Sequence, residues 1–474
     1  MKAGSLDSPE RKETHSKRRV KHLAIGALAC GMALQAGVAL ARPAVQGTAD
    51  APMARTARES GKPVIDWDQV LLSIVRTPGA QPASIQSTRN FAILHAAIYD
   101  AVNSIDRSHE PYLVSVHAPR DASETAAADA AAHTALLGLY PTQRNELDAN
   151  YVAELSQVPD GEPKDEGIRV GETVAEVLLA IRANGGSNVT APPFTPGSAP
   201  GDYRPTPPDF SAPVFTTWGH VIPFVLHSGH LFRPPAPPHL SSRAYAVAIN
   251  EVQSLGSATS TTRTPDQTEI GKFWAPPIQN FWNEIAQQVA VAHHTDLATT
   301  ARLFAALDLS FADSAIAFYD AKYTFQRWRP ITAIRMADTD GNPATVADPS
   351  WLPLAGITPA DPSYPGAHST ISAAGAEVLA SFFGDHQRFS VTSPALPGAT
   401  RSFTSFTAAE QEAGLSRIYA GVHTRIDHDA GLRLGHDVAG FVLRNALLPD
   451  RDDWAVDGVR RATETTRGAL RRAW

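Results

Sequence analysis

Hydrophobic residues recur at intervals of three and four along most of this chain, the spacing that places them on one face of an α-helix. Alternating runs of β-branched residues bounded by hairpin turns, which are typical of strands, are scarce. The pattern predicts helices over residues 64–75, 91–102, 122–137, 143–158, 166–183, 265–273, 280–293, 297–307, 309–327, 369–383 and 426–447. We therefore predict an all-α protein whose helices pack as a multi-helix bundle.

Local signals refine several of these helices. Thr264 is a good N-cap for the helix over 265–273, and the Asn184-Gly185-Gly186 run ends the helix over 166–183. His95 and Asp100 fit core or interhelix hydrogen-bonding positions better than a reactive site. The helix over 166–183 is expected to bury one stripe, made of Val170, Val174, Val177 and Ile181.

A proline-rich connection interrupts the helical pattern. Residues 192–238 contain 13 of the 37 prolines, too many for a helix or a central strand. The segment is either a long irregular connection or a cover over a pocket. The connection divides the chain into a helical part over 42–240, a second over 241–449 and a charged tail over 450–474. Irregular spacing and the lack of a carboxylate pattern argue against a metal site at its histidines, His220, His227, His230 and His239.

The N-terminus has the pattern of a secretory signal. Four cations at positions 17, 18, 19 and 21 precede an uncharged stretch over 23–40, and Ala39-Leu40-Ala41 forms a small-residue cleavage site. We expect residues 1–41 to be removed and the protein to be secreted or periplasmic. Cys30 is the one cysteine, so the mature chain has no thiol for a disulfide, a nucleophile or a metal site.

Charge and hydropathy narrow the partners of the mature chain. It keeps 34 Lys/Arg and 45 Asp/Glu, a formal charge of −11, which argues against nucleic acid. No stretch after the signal is long and apolar enough to predict a membrane span.

Three short clusters carry the candidate chemistry. They are KYTFQRWRP over 322–330, PSYPGAHST over 362–370 and SRIYAGVHTRID over 416–427. Lys322 and Arg329, seven residues apart, share one face if the helix is continuous. The second cluster is a Pro/Gly turn leading into a helix N-terminus, where backbone N–H groups bind oxyanions.

The histidines of these clusters add reactive groups beside the cations. His368 stands at the predicted helix N-terminus, and Arg417 and His423 flank Gly421, which is expected to end one helix before the next begins. Asp427, four residues after His423, is placed to hydrogen-bond its imidazole and fix the tautomer. Fixed cations, backbone amides and a histidine nucleophile or ligand are what a tetrahedral or trigonal-bipyramidal oxyanion needs.

The ordered set resembles the vanadium-dependent haloperoxidase and type 2 phosphatidic acid phosphatase superfamily, and in particular its secreted bacterial haloperoxidase-like branch. The likeness covers most of the mature chain, including the stretches FAILHAAIYDAVNSI, TRTPDQTEIGKFWA, DAKYTFQRWRPITAIR, DGNPATVADPSW and TRSFTSF. It implies a helical bundle of the haloperoxidase/acid phosphatase type. It also implies a bound vanadate, with phosphate able to occupy the same site.

The resemblance assigns roles to the cations and amides of the three clusters. Lys322, Arg329 and Arg417 would hold the equatorial oxygens of vanadate or phosphate, with the amides of Gly366 and Ala367 as further donors. The family's second motif usually reads Pro-Ser-Gly-His, whereas this chain has Pro-Gly-Ala-His and lacks the serine hydroxyl. Losing such a bond to a charged group costs on the order of 1.5–3 kcal/mol. We expect both amides to remain available, and Ser363 or Ser369 to compensate.

The resemblance also assigns the histidines. His423 would be the axial vanadium ligand of a haloperoxidase or the phosphohistidine-forming nucleophile of a phosphatase. His368 would be the general acid/base, and Asp427 would orient His423. Both reactions require a neutral His423 among positive charges.

Three functions follow from this site. The first is an exported haloperoxidase that oxidises halide with hydrogen peroxide and acts on a small organic acceptor. The second is a soluble acid phosphatase, and the third is a non-catalytic oxyanion-binding protein. Residues shared by the two reactions leave the choice between them open. The resemblance is also compatible with a homodimer.

Overall fold

The computed structural model describes residues 59–80 and 84–450. The predicted signal peptide and residues 451–474 of the charged tail lie outside this range. Within it the chain forms thirteen α-helices and one β-hairpin, so the predicted all-α bundle is confirmed. The helices are α1 (Lys62–Arg76), α2 (Ser84–Asp106), α3 (Glu124–Leu139), α4 (Arg144–Leu155), α5 (Glu162–Ala183), α6 (Arg243–Leu255), α7 (Pro265–Phe273), α8 (Ile278–Ala292), α9 (Leu297–Phe325), α10 (Pro330–Arg335), α11 (Ala367–Phe383), α12 (Phe406–Tyr419) and α13 (Arg425–Asn445).

Helix α9 forms the centre of the bundle. Most of its 29 residues are buried around its whole circumference, as expected of a helix enclosed by others. It packs against α1, α2, α8, α11 and α13. The predicted break between residues 307 and 309 is wrong, because Asp308 continues the helix. Its buried carboxylate is satisfied by His95 Nδ1 at 2.6 Å and Asn283 Nδ2 at 3.1 Å.

His95 and Asp100 of α2 have structural roles, as predicted. Both are fully buried. The Asp100 carboxylate accepts three backbone N–H groups, from Tyr112 at 2.6 Å, Leu113 at 3.0 Å and Val114 at 2.8 Å. These bonds fix the segment that follows α2.

The buried face of α5 differs from the predicted stripe. Val177 and Ile181 are 42% and 49% exposed, whereas Gly171, Ala175 and Leu178 are buried. The face is rotated because α3 packs closely against Gly171, where an added Cβ would lie 2.3 Å from the Ala127 carbonyl oxygen. The close approach of the α3 backbone to Gly171 therefore determines which face of α5 is buried.

Two predicted helix boundaries, the N-cap at Thr264 and the break at Gly421, are confirmed. Thr264 caps α7 in a capping box with Gln267. Gly421 has φ +80° and lies between α12 and α13. The hairpin pairs β1 (Phe389–Thr392) with β2 (Thr400–Phe403) in antiparallel register, and Phe389 stacks on Phe403.

The proline-rich connection is ordered and follows α9. Asp313 of α9 accepts the backbone N–H groups of Phe224, Val225 and Leu226 at 2.6–2.8 Å. Nearer the start of the connection, Tyr203 N donates to the carbonyl of Gln326, the C-cap of α9, at 2.6 Å. Both contacts tie the connection to the helix that carries Lys322.

Candidate oxyanion site

The three clusters meet at one cavity of about 200 Å³. Six of the eight predicted site residues line it: Lys322, Arg329, Ala367, His368, Arg417 and His423. Gly366 and Asp427, the other two, lie next to this lining and contact each other. The structure thus brings together the whole predicted set.

Lys322 and Arg329 reach the cavity by a route that the sequence did not predict. The expected continuous helix is wrong, because α9 ends at Phe325 and Gln326 has a left-handed φ of 45°. Arg329 is extended, as is typical of a residue before proline, and it precedes α10. Both side chains nevertheless turn to the same carboxylate.

That carboxylate belongs to Asp361, which the sequence analysis missed. Lys322 Nζ lies 3.2 Å from Asp361 Oδ2, and Arg329 Nη2 donates to Oδ1. Arg329 Nε also donates to the Asp361 carbonyl at 2.7 Å. Burial alone would raise the pKa of Asp361, but the two cations lower it below its ordinary value. A signal was present, since buried cations need a counter-charge and Asp361 directly precedes the second cluster.

The environment keeps His423 neutral. Burial and then the Arg329 guanidinium lower its pKa to about 3. Arg329 Nη1 lies 3.1 Å from His423 Nε2. An arginine has only N–H donors, so Nε2 is the acceptor and Nδ1 carries the proton. Nε2, the nitrogen that carries the lone pair, therefore lies against Arg329 in the cavity.

Asp427 lies behind His423, as predicted. Its Oδ2 is 3.3 Å from His423 Nδ1 and accepts the Thr424 N–H at 2.7 Å, which completes a capping box at the start of α13. Burial raises the pKa of Asp427, but the bonds to His423, Thr424 and Ser363 bring it down to about 2. The ionised carboxylate thus holds the Nδ1–H tautomer of His423.

Neither nearby serine replaces the hydroxyl missing at position 366. Ser363 Oγ donates to Asp427 Oδ2 at 2.7 Å, and Ser369 Oγ is 2.9 Å from His428 Nδ1. Neither residue lines the cavity. The expected compensation is therefore wrong: both hydroxyls position α13.

The N-terminus of α11 offers one of its two predicted amides. Gly366 N donates to the Asp427 carbonyl at 2.9 Å and is engaged there. Ala367, the first residue of α11, lines the cavity, and its N–H has no acceptor within the helix. His368 Nε2 lies 2.9 Å from the Trp274 carbonyl and must be the donor. Burial and then Arg417 lower the pKa of His368 well below its ordinary value, so its ring is neutral.

Arg417 is the cation of the cavity whose side chain lacks a hydrogen-bond partner among the described residues. Its side chain is 8% exposed, and its Nε and Nη1 atoms have no hydrogen-bond partner in the part of the chain that the structure describes. Burial and then Arg329 lower its pKa to about 10, so it remains charged at neutral pH. A buried charged guanidinium without a partner is costly, and an anion in the cavity would satisfy it. The donor set therefore fits a bound oxyanion.

The proline-rich connection covers one side of the cavity. Val214 and Phe215 are in its lining, and Val214 N donates to the Ala360 carbonyl at 2.9 Å. Phe318 and Tyr319 of α9 extend this apolar wall. Of the two interpretations of the connection, the pocket cover is the one observed.

The described residues contain neither a cluster of metal ligands nor a membrane-spanning helix. No group of three or more His, Cys, Asp or Glu side chains there could hold a metal ion. Within residues 59–80 and 84–450, no helix has both the length and the apolar character that a bilayer span needs.

Comparisons with known proteins agree with the fold and the motifs. Residues 302–448 match the family model of the VCPO second helical-bundle domain. The vanadium chloroperoxidase of Curvularia inaequalis is 26% identical over a 517-residue alignment, which covers 83% of this chain and 82% of that protein.

Solved structures show the same architecture. The first bacterial vanadium-dependent iodoperoxidase matches with a TM-score of 0.69 and 24% identity, over 84% of this chain and 99% of that one. A holo-type bacterial vanadium-dependent chloroperoxidase matches with a TM-score of 0.64 and 16% identity, over 82% and 99%. The family model and the Curvularia relative confirm the predicted resemblance to the vanadium haloperoxidase superfamily, and the two solved structures show the same fold.

Proposed function

We propose that this chain, a member of the vanadium haloperoxidase and type 2 phosphatidic acid phosphatase superfamily, is a vanadium-dependent haloperoxidase that oxidises halide with hydrogen peroxide. The observation that carries the proposal is Arg417, a buried guanidinium with unpaired Nε and Nη1 in a cavity that also holds Lys322, Arg329 and neutral His423. Both relatives and site chemistry point to an oxyanion of the vanadate type.

The donors of the cavity divide the work of holding vanadate. Lys322, Arg329 and Arg417, with the amide of Ala367, would bind its oxygens. His423 Nε2 would be the protein ligand to vanadium, because its proton is on Nδ1 and its lone pair, which here accepts the Arg329 Nη1–H, would be released when Arg329 binds the anion instead. Bound vanadate activates peroxide toward a halide without changing its own oxidation state.

The remaining residues control protons and water. Asp427 holds the His423 tautomer, so Nε2 stays a ligand across neutral pH. The Trp274 carbonyl anchors His368 through Nε2, which leaves Nδ1 as the nitrogen that accepts or donates a proton. The apolar wall with Val214 and Phe215 limits water above the cations.

A phosphatase is the second candidate, because one feature serves both reactions. A neutral imidazole whose lone pair lies against cations is also suited to attack phosphorus, with His368 protonating the leaving alcohol after it has taken up a proton at Nδ1. In that reaction the cations hold phosphate oxygens, and the phosphohistidine at His423 is then hydrolysed by water.

One set of assays separates these functions. The full mature chain is loaded with orthovanadate, its vanadium content is measured, and bromination of a phenolic dye by hydrogen peroxide is followed. We expect bromination that is lost in His423→Ala. Full vanadium occupancy without halogenation would exclude the haloperoxidase. The phosphatase requires turnover of p-nitrophenyl phosphate that vanadate inhibits and His423→Ala abolishes. Anion binding with neither activity would identify a non-catalytic oxyanion-binding protein.

Export and assembly are part of the proposal and have separate tests. The signal pattern over residues 1–41 supports a secreted or periplasmic protein, and mass spectrometry of the exported chain should show cleavage after Ala41. Light scattering coupled to size-exclusion chromatography would show whether the chain forms a homodimer.

A further inference from the structure

Asp361 places a negative charge inside the cavity that is proposed to bind an oxyanion. Its side chain is 7% exposed and lines the cavity beside Lys322 and Arg329. Its carboxylate bonds both cations, and its backbone carbonyl accepts the Arg329 Nε–H. Two of the three cations are thus paired with a group of the protein itself.

The three cations therefore differ in what they offer a ligand. Among the described residues, Nε and Nη1 of Arg417 have no partner. Lys322 and Arg329 both bond the Asp361 carboxylate, and each also donates to backbone carbonyls, those of Pro362 and Ser363 for Lys322 and that of Val422 for Arg329. The cavity lining carries three positive charges and one negative charge, and Asp427 adds a second negative charge behind His423. An entering oxyanion must share Lys322 and Arg329 with a fixed carboxylate.

Coulomb energy scales with the charge of the ligand, so this carboxylate opposes a dianion about twice as strongly as a monoanion at the same distance. We propose that Asp361 determines oxyanion specificity: it stays in the cavity as a competing counter-ion and selects ligands of low negative charge. The proposal rests on the proposed oxyanion site and specifies the charge of the anion that this site prefers.

A purely structural counter-ion would have a different effect. If removal of Asp361 acted only through protein stability or cavity shape, it would change the affinities for monoanions and dianions by a common factor. A charge-selecting residue must instead change the ratio of affinities for anions of different charge. That ratio is the quantity to measure.

The experiment compares two tetrahedral anions whose charges are fixed near neutral pH, sulfate (dianion) and perchlorate (monoanion). Calorimetric titrations at constant ionic strength, in a buffer free of other oxyanions, use wild type, Asp361→Asn and Asp361→Glu. Asp338→Asn is the matched control, since Asp338 is exposed and outside the cavity lining. It removes the same charge from the surface.

We expect Asp361→Asn to bind sulfate about tenfold more tightly than wild type and perchlorate about threefold more tightly, because the two gains scale with ligand charge. Asp361→Glu keeps the charge and should retain the wild-type sulfate-to-perchlorate ratio, as should Asp338→Asn. Thermal unfolding gives a second measurement for a weakly folded variant. Sulfate should raise the midpoint of Asp361→Asn more than that of wild type.

The outcomes separate this inference from the proposed function. Wild type that binds both anions, with an unchanged ratio in Asp361→Asn, overturns the role of Asp361 and leaves the oxyanion site intact. Binding by Asp361→Asn alone supports the role and contradicts vanadate retention by wild type. Absence of binding in both proteins refutes the oxyanion site and this inference together. An Asp361→Glu ratio like that of Asp361→Asn would also overturn the inference.

Discussion

Replacement of Arg417 by methionine should make the anion-free protein more stable and remove most of the stabilisation that vanadate gives. Methionine keeps much of the side-chain volume but removes a buried charge whose Nε and Nη1 lack partners among the described residues. Burial and Arg329 lower the pKa of Arg417 to about 10. Folding therefore disfavours the charged form, and this cost is fully present at every pH below about 10.

The magnitude follows from the pKa of the guanidinium. Lowering it from its ordinary value to about 10 corresponds to about 3 kcal/mol against the charged form at neutral pH. Replacing a buried ion by an apolar side chain commonly recovers ~1–4 kcal/mol. We expect Arg417→Met to gain about 1–3 kcal/mol in the free energy of unfolding without an anion.

Vanadate should offset most of this gain. At a vanadate concentration of 100 times its Kd, the wild-type protein gains about 2.7 kcal/mol from binding. Losing one buried charge-assisted contact costs ~2–5 kcal/mol, so affinity falls about 100-fold. At the same vanadate concentration the variant then gains only about 0.4 kcal/mol.

Urea unfolding followed by far-ultraviolet circular dichroism, with and without orthovanadate, measures both effects. Arg335→Met is the matched control, because Arg335 is half-buried, donates to the Trp351 carbonyl and lies outside the cavity lining. It should lose a little stability and keep the full vanadate effect. An Arg417→Met protein that is less stable than wild type without anion, or that keeps the full vanadate gain, would refute the reasoning.

Three further variants test other parts of the structure. Asp427→Asn should lower vanadate affinity about 10- to 100-fold, because the His423 Nδ1–H loses its ionised acceptor, and equilibrium dialysis showing unchanged affinity would contradict this. Gly366→Ser should tighten vanadate binding up to about tenfold by restoring a hydroxyl. The same substitution should lower the free energy of unfolding by about 1 kcal/mol, since the new Cβ lies 3.1 Å from the Asp427 carbonyl oxygen. Gly366→Ala is the control for this Cβ, and equal vanadate affinity in both variants would exclude a contribution from the hydroxyl. Burial raises the pKa of the Asp68 carboxyl to about 7, although the charge of His95 acts in the opposite direction. The contribution of Asp68 to the free energy of unfolding is therefore full below about pH 4 and is lost as the pH rises through about 7. Asp68→Asn should therefore gain unfolding free energy relative to wild type over that interval, and urea midpoints that stay a constant distance apart would contradict the assignment.

Features that depend on short stretches of sequence were predicted correctly. The α7 capping box, the glycine between α12 and α13, and six of the cavity-lining residues all rest on short motifs with their own physical cause. Patterns of this kind need no knowledge of what packs against them. They therefore carried both the helical class and the residues of the site.

Features that depend on contacts with residues distant along the chain could not be predicted from short motifs. Asp308 lies between two predicted helices, and its position inside α9 depends on the hydrogen bonds that its carboxylate forms with His95 and Asn283. The orientation of α5 depends on how closely α3 approaches Gly171. Asp361 acquires its role from two cations that are 39 and 32 residues away along the chain. These three features each depend on contacts with residues that are distant along the chain.

The attachment of the proline-rich connection bears on how this protein can be re-engineered. Tyr203 and the Phe224–Leu226 amides hold the two ends of the span 204–223 to the C-cap and the middle of α9. Between these ends the span supplies Val214 and Phe215 to the cavity wall, while none of the cations comes from it. Substitutions at Val214 and Phe215 can therefore change the size and the polarity of the cavity wall without removing any of its cations.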